Sequence, residues 1–240
     1  GRLRATPARA GSLEPMAGWQ IEAVIFDMDG ILIDSEHVWD EIRESLAKER
    51  GGRWHDGAQR AMMGMSSPEW SAYMHDVIGL QETPQEINDE VVRQMLERYA
   101  VSPPWIDGAR EAIERMAGVW TIGLASSSNR ELIDRVLEAG GYTELFGAAV
   151  SSEEVAGGKP RPDVYLEAAR RLGVDPENCV AVEDSHNGIR SAKAAGMACI
   201  AIPNPMFPPG DALAEADLVL DSITALNEAA VRAARISTLV

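Results

Sequence analysis

A chain of 240 residues and 26.0 kDa with 45% hydrophobic side chains can form one large or two modest globular domains around a sizeable core. Its 38 acidic and 22 basic side chains give a formal net charge of -16, which disfavours nucleic acid and anionic membrane surfaces as partners. With two cysteines and no apolar run of about 18 residues, the composition excludes a disulfide framework and a transmembrane helix. We expect a cytoplasmic protein that is a monomer or a small homo-oligomer.

The chain begins with a segment that does not look like part of the fold. Residues 1–18 are rich in Arg, Ala, Pro and Gly and have no apolar central stretch, so they do not resemble a secretory signal. We expect them to be an arm that is disordered or derived from added sequence.

The first predicted strand runs straight into two carboxylates. Residues 23–26 are apolar, as in a strand buried on both faces of a parallel sheet, and Asp27, Asp29 and Gly30 follow. Burying an unpaired charge in an apolar interior costs on the order of several kcal/mol of folding free energy. Both aspartates must therefore lie at or beyond the end of the strand. Open α/β sheets place their ligand crevice there. The alternative is a turn in which the aspartates only cap the next segment.

A helical segment follows and divides the chain. The periodicity predicts helices over Val38–Glu49, Asp56–Met63, Pro68–Ile78 and Pro84–Tyr99. Pro103 and Pro104 then end the helical pattern. We predict an all-helical domain over residues 35–103 inserted into a core of residues 19–34 and 104–240, with hinges at the two crossings.

After residue 104, helices and strands alternate, which is typical of a doubly wound parallel sheet of the α/β class. We predict strands near 119–125, 147–150, 179–182, 197–202 and 218–220. The second strand of the chain ends in Ser126–Asn129, a later one ends in Glu183 and Asp184, and the loop between them carries Lys159. Three strand ends and one loop thus present carboxylates, hydroxyls and a lysine.

Four segments resemble the motifs of the haloacid dehalogenase-like (HAD) superfamily of aspartate-nucleophile phosphohydrolases. They are FDMDGIL, LASSSN, GKPRPDVY and VAVEDSHNGI, in that order. The likeness covers residues 21 to about 230 and is closest to the branch with β-phosphoglucomutase and the small sugar-phosphate phosphatases. It implies a Rossmann-like HAD core with the predicted helices as an inserted cap.

The resemblance also implies a role for each motif. Asp27 would be the nucleophile that forms an aspartyl-phosphate, and Asp29 the acid that protonates the leaving oxygen and then activates water. Ser126, the backbone N–H of Ser127 and Lys159 would bind the phosphoryl group. The Mg²⁺ ligands would be Asp27, the backbone carbonyl of Asp29, Asp184, and Glu183 acting directly or through water.

Other residues near these motifs have two interpretations. Ser126 can also cap the helix that follows it, and a lysine in an isolated Gly-Lys-Pro is usually a solvated loop residue. Glu36, His37 and Asn129 are candidate substrate contacts, although capping or turn formation explains Asn129 about as well. We expect Trp39 to pack in the cap.

Two departures separate this chain from the phosphomutases that it resembles. Those enzymes carry a histidine five residues after the equivalent of Asp34, where this chain has Trp39, and a cap-loop arginine where it reads Met65–Pro68. We therefore predict a Mg²⁺-dependent phosphatase that acts on a small phosphorylated metabolite of the sugar-phosphate kind. The alternatives are a β-phosphoglucomutase-like phosphotransferase and a non-catalytic protein that binds a phosphorylated metabolite.

Overall fold

A parallel sheet forms the centre of the protein. The computed structural model describes residues 20–63 and 65–237, so the arm predicted over residues 1–18 lies outside the described residues. The strands are β1 Ala23–Phe26, β2 Thr121–Ser126, β3 Phe146–Ser151, β4 Cys179–Glu183, β5 Ala198–Ala201 and β6 Leu218–Val219. They pair in the order β3-β2-β1-β4-β5-β6, and every pairing is parallel. The predicted doubly wound α/β sheet is thus confirmed.

The helices agree closely with the predicted periodicity. The α-helices of the described residues are α1 Glu36–Glu49, α2 Ala58–Met62, α3 Ser67–Tyr73, α4 Pro84–Val101, α5 Ala109–Ala117, α6 Arg130–Gly140, α7 Asp163–Leu172, α8 His186–Ala194 and α9 Glu228–Ser237. The helix predicted over Pro68–Ile78 differs, because it is α-helical only to Tyr73 and continues as a π-helical turn. That turn ends at Gly79, whose φ of 88° is readily adopted by glycine.

The sheet is covered on both faces. Val24 and Phe26 of β1 point into one hydrophobic cluster, and Ala23 and Ile25 point into another that includes Tyr165 of α7. All four β1 side chains are fully buried. Strand β1 therefore reads as a continuous apolar run, as expected for a strand with helices on both sides. In the described part of the chain, we find no helix with the length and hydrophobicity needed to cross a bilayer.

Helices α1 to α4, which we call the helical insertion, connect β1 to the rest of the sheet. Trp39 of α1 and Trp70 of α3 belong to the same hydrophobic cluster as Phe26 of the sheet. The two crossings run side by side, because the Asp34 N–H donates to the Pro104 carbonyl at 2.8 Å. The insertion thus lies against the sheet, and the domain limits at residues 35 and 103 stay a prediction.

Candidate active site

The register of the sheet brings three chain segments to one edge. Phe26 pairs with Leu124 of β2 on one side and with Val182 of β4 on the other. Because the strands are parallel, Asp27 and Glu183 follow at the same level, and β2 ends close by at Ser126. Gly30 has a φ of 81°, and a Cβ atom on it would lie 1.9 Å from Asp184 Oδ2. Glycine is required at this position for both reasons.

Lys159 is the centre of a buried ion cluster. Its Nζ lies 2.9 Å from Asp27 Oδ1 and 2.5 Å from Glu183 Oε1, and it donates to the Ala125 carbonyl at 3.0 Å. Burial by itself lowers the pKa of Lys159, but the Asp27 and Glu183 carboxylates outweigh burial and hold the pKa above its usual value. The lysine is therefore a buried cation, and the interpretation as a solvated loop residue is wrong.

Glu183 faces away from the crevice and holds the lysine in place. Its Oε1 also accepts a hydrogen bond from the Tyr165 hydroxyl at 2.7 Å, and its Oε2 accepts from the Asp184 N–H at 3.2 Å. Gly188 of α8 leaves room for this carboxylate, since a Cβ there would lie 1.9 Å from Glu183 Oε2. Sequence reasoning missed Tyr165 because a tyrosine within a helical pattern looks like an ordinary core residue.

Asp184 is a buried carboxylate without a donor. Among the described residues, no N–H or O–H group donates to its side chain, and yet only 3% of the residue is exposed. One carboxylate oxygen each from Asp27, Glu183 and Asp184 lie within 4.8 Å of one another. Burial is the main cause that raises the pKa of Asp27 to about 8 and that of Asp184 well above its usual value; repulsion from the Glu183 carboxylate adds to it for Asp27, and repulsion from the Asp27 carboxylate adds to it for Asp184. The cluster has an excess of negative charge that a bound cation would compensate.

The Asp29 carboxylate accepts hydrogen bonds from four side chains. Its Oδ1 accepts hydrogen bonds from the Ser35 hydroxyl and, at 3.4 Å, from Trp39 Nε1. Its Oδ2 accepts from the Ser128 hydroxyl at 2.6 Å and from the Ser126 hydroxyl at 3.4 Å. Trp39, which we expected only to pack in the cap, therefore also contacts the second aspartate directly. Sequence reasoning had missed Ser35 and Ser128, although the serine run after β2 was a visible signal.

A small cavity lies between the strand ends and the helical insertion. Its volume is 60 Å³, whereas small-molecule pockets usually measure roughly 300–1,000 Å³. The core lines it with Asp27, Asp29, Ser127, Ser128, Lys159 and Asp184, and the insertion with Glu36, Trp39, Arg43, Met62, Met65 and Trp70. The insertion thus lies close over the core, and a cavity of this volume would have to widen to hold a sugar phosphate.

The remaining candidate residues divide between the cavity and its surroundings. Glu36 lines the cavity, and burial followed by the Asp29 carboxylate raises its pKa to about 7. Ser127 also lines it, whereas the fully buried Ser126 hydroxyl accepts from the Ser128 N–H at 3.0 Å beneath it. The structure does not bring His37 to this cavity, because its side chain points outward and lies 3.8 Å from Asp34.

Asn129 connects the core to the helical insertion. Its Oδ1 accepts from the Ser67 hydroxyl at 2.8 Å, and its Nδ2 donates to Asn88 Oδ1 at 3.0 Å. The same Nδ2 donates to Glu153 Oε1 of the core at 2.7 Å. Asn129 lines the cavity as a candidate substrate contact should, but in this closed state its amide is fully engaged. We infer that it acts as a latch between the two parts.

Replacing Asn129 by alanine should loosen the closed state. Two hydrogen bonds between the core and the insertion are lost, at roughly 1 kcal/mol net for each, so amide exchange in α3 should become about 10- to 30-fold faster. Hydrogen exchange measured by mass spectrometry reports this directly. Asn178→Ala is a matched control, because that amide bonds only to Glu22 on the core surface. Equal exchange of α3 in both variants would contradict the latch.

Comparisons with known proteins agree with this geometry. Residues 21–196 match the sequence model of the haloacid dehalogenase-like hydrolases. Hexitol phosphatase B of Escherichia coli K12 is 33% identical over 226 residues, which are 87% of this chain and 95% of that protein. A phosphorylated carbohydrates phosphatase of Thermotoga maritima is 32% identical over 205 residues, 83% of this chain and 93% of that one. The crystal structure of CbbY from Rhodobacter sphaeroides with phosphate superposes with a TM-score of 0.80 and 26% identity, covering 89% of this chain and all of that chain.

Proposed function

The chain belongs to the haloacid dehalogenase-like hydrolase family, and on that premise we propose that it is a phosphatase that hydrolyses a small phosphorylated metabolite of the sugar-phosphate class. The relatives named as hexitol and carbohydrate phosphatases, each matched over more than nine-tenths of its length, support this substrate class. A small cavity under the insertion favours small substrates, since a polymer would prevent the insertion from packing against the sheet.

One observation carries the proposal. The Asp27 carboxylate lines the cavity between the core and the insertion, is oriented by the Lys159 ammonium at 2.9 Å, and has Asp29 two residues away in the same cavity. A protein that only binds phosphate needs cations and N–H donors, and it has no use for two carboxylates beside the anion. Two carboxylates are needed if one attacks phosphorus and the other transfers a proton.

The reaction proceeds in two displacements at phosphorus. Asp27 attacks, the bond to the sugar oxygen breaks, and Asp29 gives its proton to that departing oxygen. Asp29 then takes a proton from a water molecule, whose oxygen attacks the phosphorus of the aspartyl-phosphate and releases inorganic phosphate and Asp27. Lys159 and the N–H groups after β2 stabilise the charge on the phosphoryl oxygens during both steps. Packing of the insertion over the bound substrate would reduce the access of bulk water to the reacting groups.

The donor set of the cavity fits a hard divalent cation. Asp27, Glu183 and Asp184 offer only oxygen atoms, which Mg²⁺ prefers. Asp184 is the side chain most free to bind, because Glu183 already accepts from Lys159 and Tyr165. When bound, Mg²⁺ would neutralise negative charge shared by the phosphate and Asp27, so that the carboxylate can approach.

Removal of divalent cations should abolish activity. We expect phosphate release to fall at least about 100-fold after exhaustive chelation and to return when Mg²⁺ is added, because the buried carboxylates otherwise repel the phosphate. The same preparation supplied with Na⁺ is the control. Turnover that survives chelation would remove the metal from the proposal.

A panel of sugar phosphates tests the function itself. Released phosphate and the phosphorylated isomers are measured side by side, and we expect free phosphate without isomers. Conversion to an isomer without free phosphate would show the phosphotransferase instead. No turnover across the panel, with retained binding, would favour the non-catalytic protein.

A further inference from the structure

Arg43 of α1 is a buried cation on the wall of the cavity. Only 3% of the residue is exposed, and it lines the cavity together with Asp27 and Lys159. Its guanidinium carbon lies 5.4 Å from the ring centroid of Trp39 and 5.8 Å from that of Trp70. Cations within about 6 Å of an aromatic ring are attracted to its face. The two tryptophans therefore hold the guanidinium in a defined place.

The guanidinium has almost no polar partner. Its Nε donates to the Trp39 carbonyl at 3.1 Å, and among the described residues neither terminal nitrogen makes a hydrogen bond. No carboxylate of those residues comes within ion-pair distance of it. Buried charges are normally paired, because the desolvation of an unpaired charge costs roughly several kcal/mol. An unpaired buried guanidinium beside a cavity indicates that its partner arrives with the ligand.

The acidic groups nearest to Arg43 do not remove its charge. Burial lowers the pKa of Arg43 to about 10, and Glu36, Asp40 and Asp29 act in the opposite direction. The guanidinium therefore stays protonated at neutral pH. Glu36 lines the same cavity, and its charged form would repel an anion. Burial raises the pKa of Glu36 to about 7, so this carboxyl is partly protonated at neutral pH and repels an anion less.

We propose that Arg43 binds a second oxyanion of the substrate, a carboxylate or a further phosphate, at the end opposite the phosphoryl group that is transferred. This rests on the proposed function and narrows the substrate class to phosphorylated sugar acids and bisphosphates. The two free terminal nitrogens form the planar fork that matches a carboxylate or phosphate in two parallel hydrogen bonds. A neutral hydroxyl would leave the buried charge uncompensated. Arg43 thus selects the substrate from the helical insertion, whereas Asp27, Asp29 and Lys159 act on the phosphoryl group from the core.

Matched substrates test the proposal. 6-Phospho-D-gluconate and D-sorbitol 6-phosphate differ only in a carboxylate against a hydroxymethyl group, and 3-phosphoglycerate and glycerol 3-phosphate form the same pair on a shorter chain. In at least one pair, we expect the wild-type enzyme to prefer the acid, and Arg43→Met to lower kcat/KM for the acid about 100-fold, mainly through KM. The same variant should lower kcat/KM for the neutral partner much less than for the acid, so that the ratio of the two values falls at least about tenfold. Arg43→Lys keeps the charge without the fork and should fall between the two.

The selectivity ratio separates a binding role from a structural one. A folding defect in Arg43→Met would lower kcat/KM for the acid and for the neutral compound by the same factor. A ratio of these two values that is unchanged from the wild type in both pairs would therefore overturn the proposal. Arg98→Met is the matched control, because that arginine lies on α4 of the insertion with 56% of its side chain exposed.

A binding measurement keeps this test separate from the test of the function. Calorimetric titration of Asp27→Asn, with and without Arg43→Met, compares the affinities for the acid and the neutral compound without turnover. If the wild-type enzyme releases no phosphate from any ester, the proposed function fails. The role of Arg43 would still predict that the double variant Asp27→Asn/Arg43→Met binds the acid about 100-fold more weakly than Asp27→Asn does. Equal binding of acid and neutral compounds in both pairs, or no binding of any, would overturn the role of Arg43.

Discussion

Replacing Asp27 by asparagine should reduce kcat for phosphate release by at least roughly 10⁴-fold. Asparagine has the same shape, but its amide cannot attack phosphorus, and the carboxylate is the group that Lys159 orients at 2.9 Å. The loss should be large for every phosphomonoester, because each of them has to be attacked by the same carboxylate. Steady-state phosphate release on two unrelated esters measures it.

A loss of fold can be distinguished from a loss of chemistry in this variant. The Asp27 carboxylate is buried beside Glu183, which repels it, so the neutral amide should leave the thermal midpoint of the metal-free protein unchanged or higher. Asp76→Asn is the control, because that side chain is 72% exposed and far from the cavity. Turnover within tenfold of the wild type in Asp27→Asn would refute the nucleophile.

Replacing Lys159 by methionine should damage both activity and stability. Methionine fills a similar volume but leaves the Asp27 and Glu183 carboxylates buried without their cation. Breaking a buried ion cluster in this way costs about 3–5 kcal/mol of the free energy of unfolding. We also expect phosphate release to fall roughly 10²- to 10³-fold, because the lysine orients the nucleophile and compensates the phosphoryl charge. Urea unfolding and phosphate release measure the two effects.

The double variant Lys159→Met/Glu183→Gln identifies the cause of the lost stability. Since it removes one of the two uncompensated carboxylates, it should regain part of the free energy of unfolding without regaining activity. Lys48→Met is the surface control: its Nζ pairs with Glu44 on α1, the lysine is 67% exposed, and such a pair contributes about 0.5 kcal/mol. A loss for Lys159→Met no larger than that of Lys48→Met would show that the buried cluster does not stabilise the fold.

The Asp27 and Lys159 variants test the residues that line the cavity from the core. The Asn129 and Arg43 variants test the contacts that the insertion makes with the core and with the substrate. Asn129 forms hydrogen bonds with α3 and α4. It also belongs to the loop after β2 that lines the cavity, so this one residue links the position of the insertion to the phosphate-binding loop. Arg43 reaches the cavity from α1. We infer that substrate selection and closure occur together, because the residue that reads the substrate's far end travels with the element that must close.

The sequence by itself predicted the sheet, the helices and the residues at the strand ends. Each apolar run ends where a charged or hydroxyl residue would otherwise be buried, so Asp27 after β1 and Asp184 after β4 could be placed from local pattern alone. Because the strands are parallel, their carboxyl ends lie on one edge of the sheet, which predicted that the carboxylates lie close together. Lys159 was added to them by the resemblance of its loop to a known motif.

Only the tertiary structure decided what each side chain contacts. Glu183 and Asp184 are adjacent and chemically alike, yet one turns inward to Lys159 and Tyr165 while the other faces the cavity without a donor. Arg43 lies on a helix whose pattern gives no sign that an arginine is buried, and its tryptophan neighbours come from two different helices. Local periodicity fixes which face of an element is apolar, because it depends on neighbours three or four residues away. Contacts between residues far apart in the chain depend on how those faces pack, and that packing is set by the whole molecule at once.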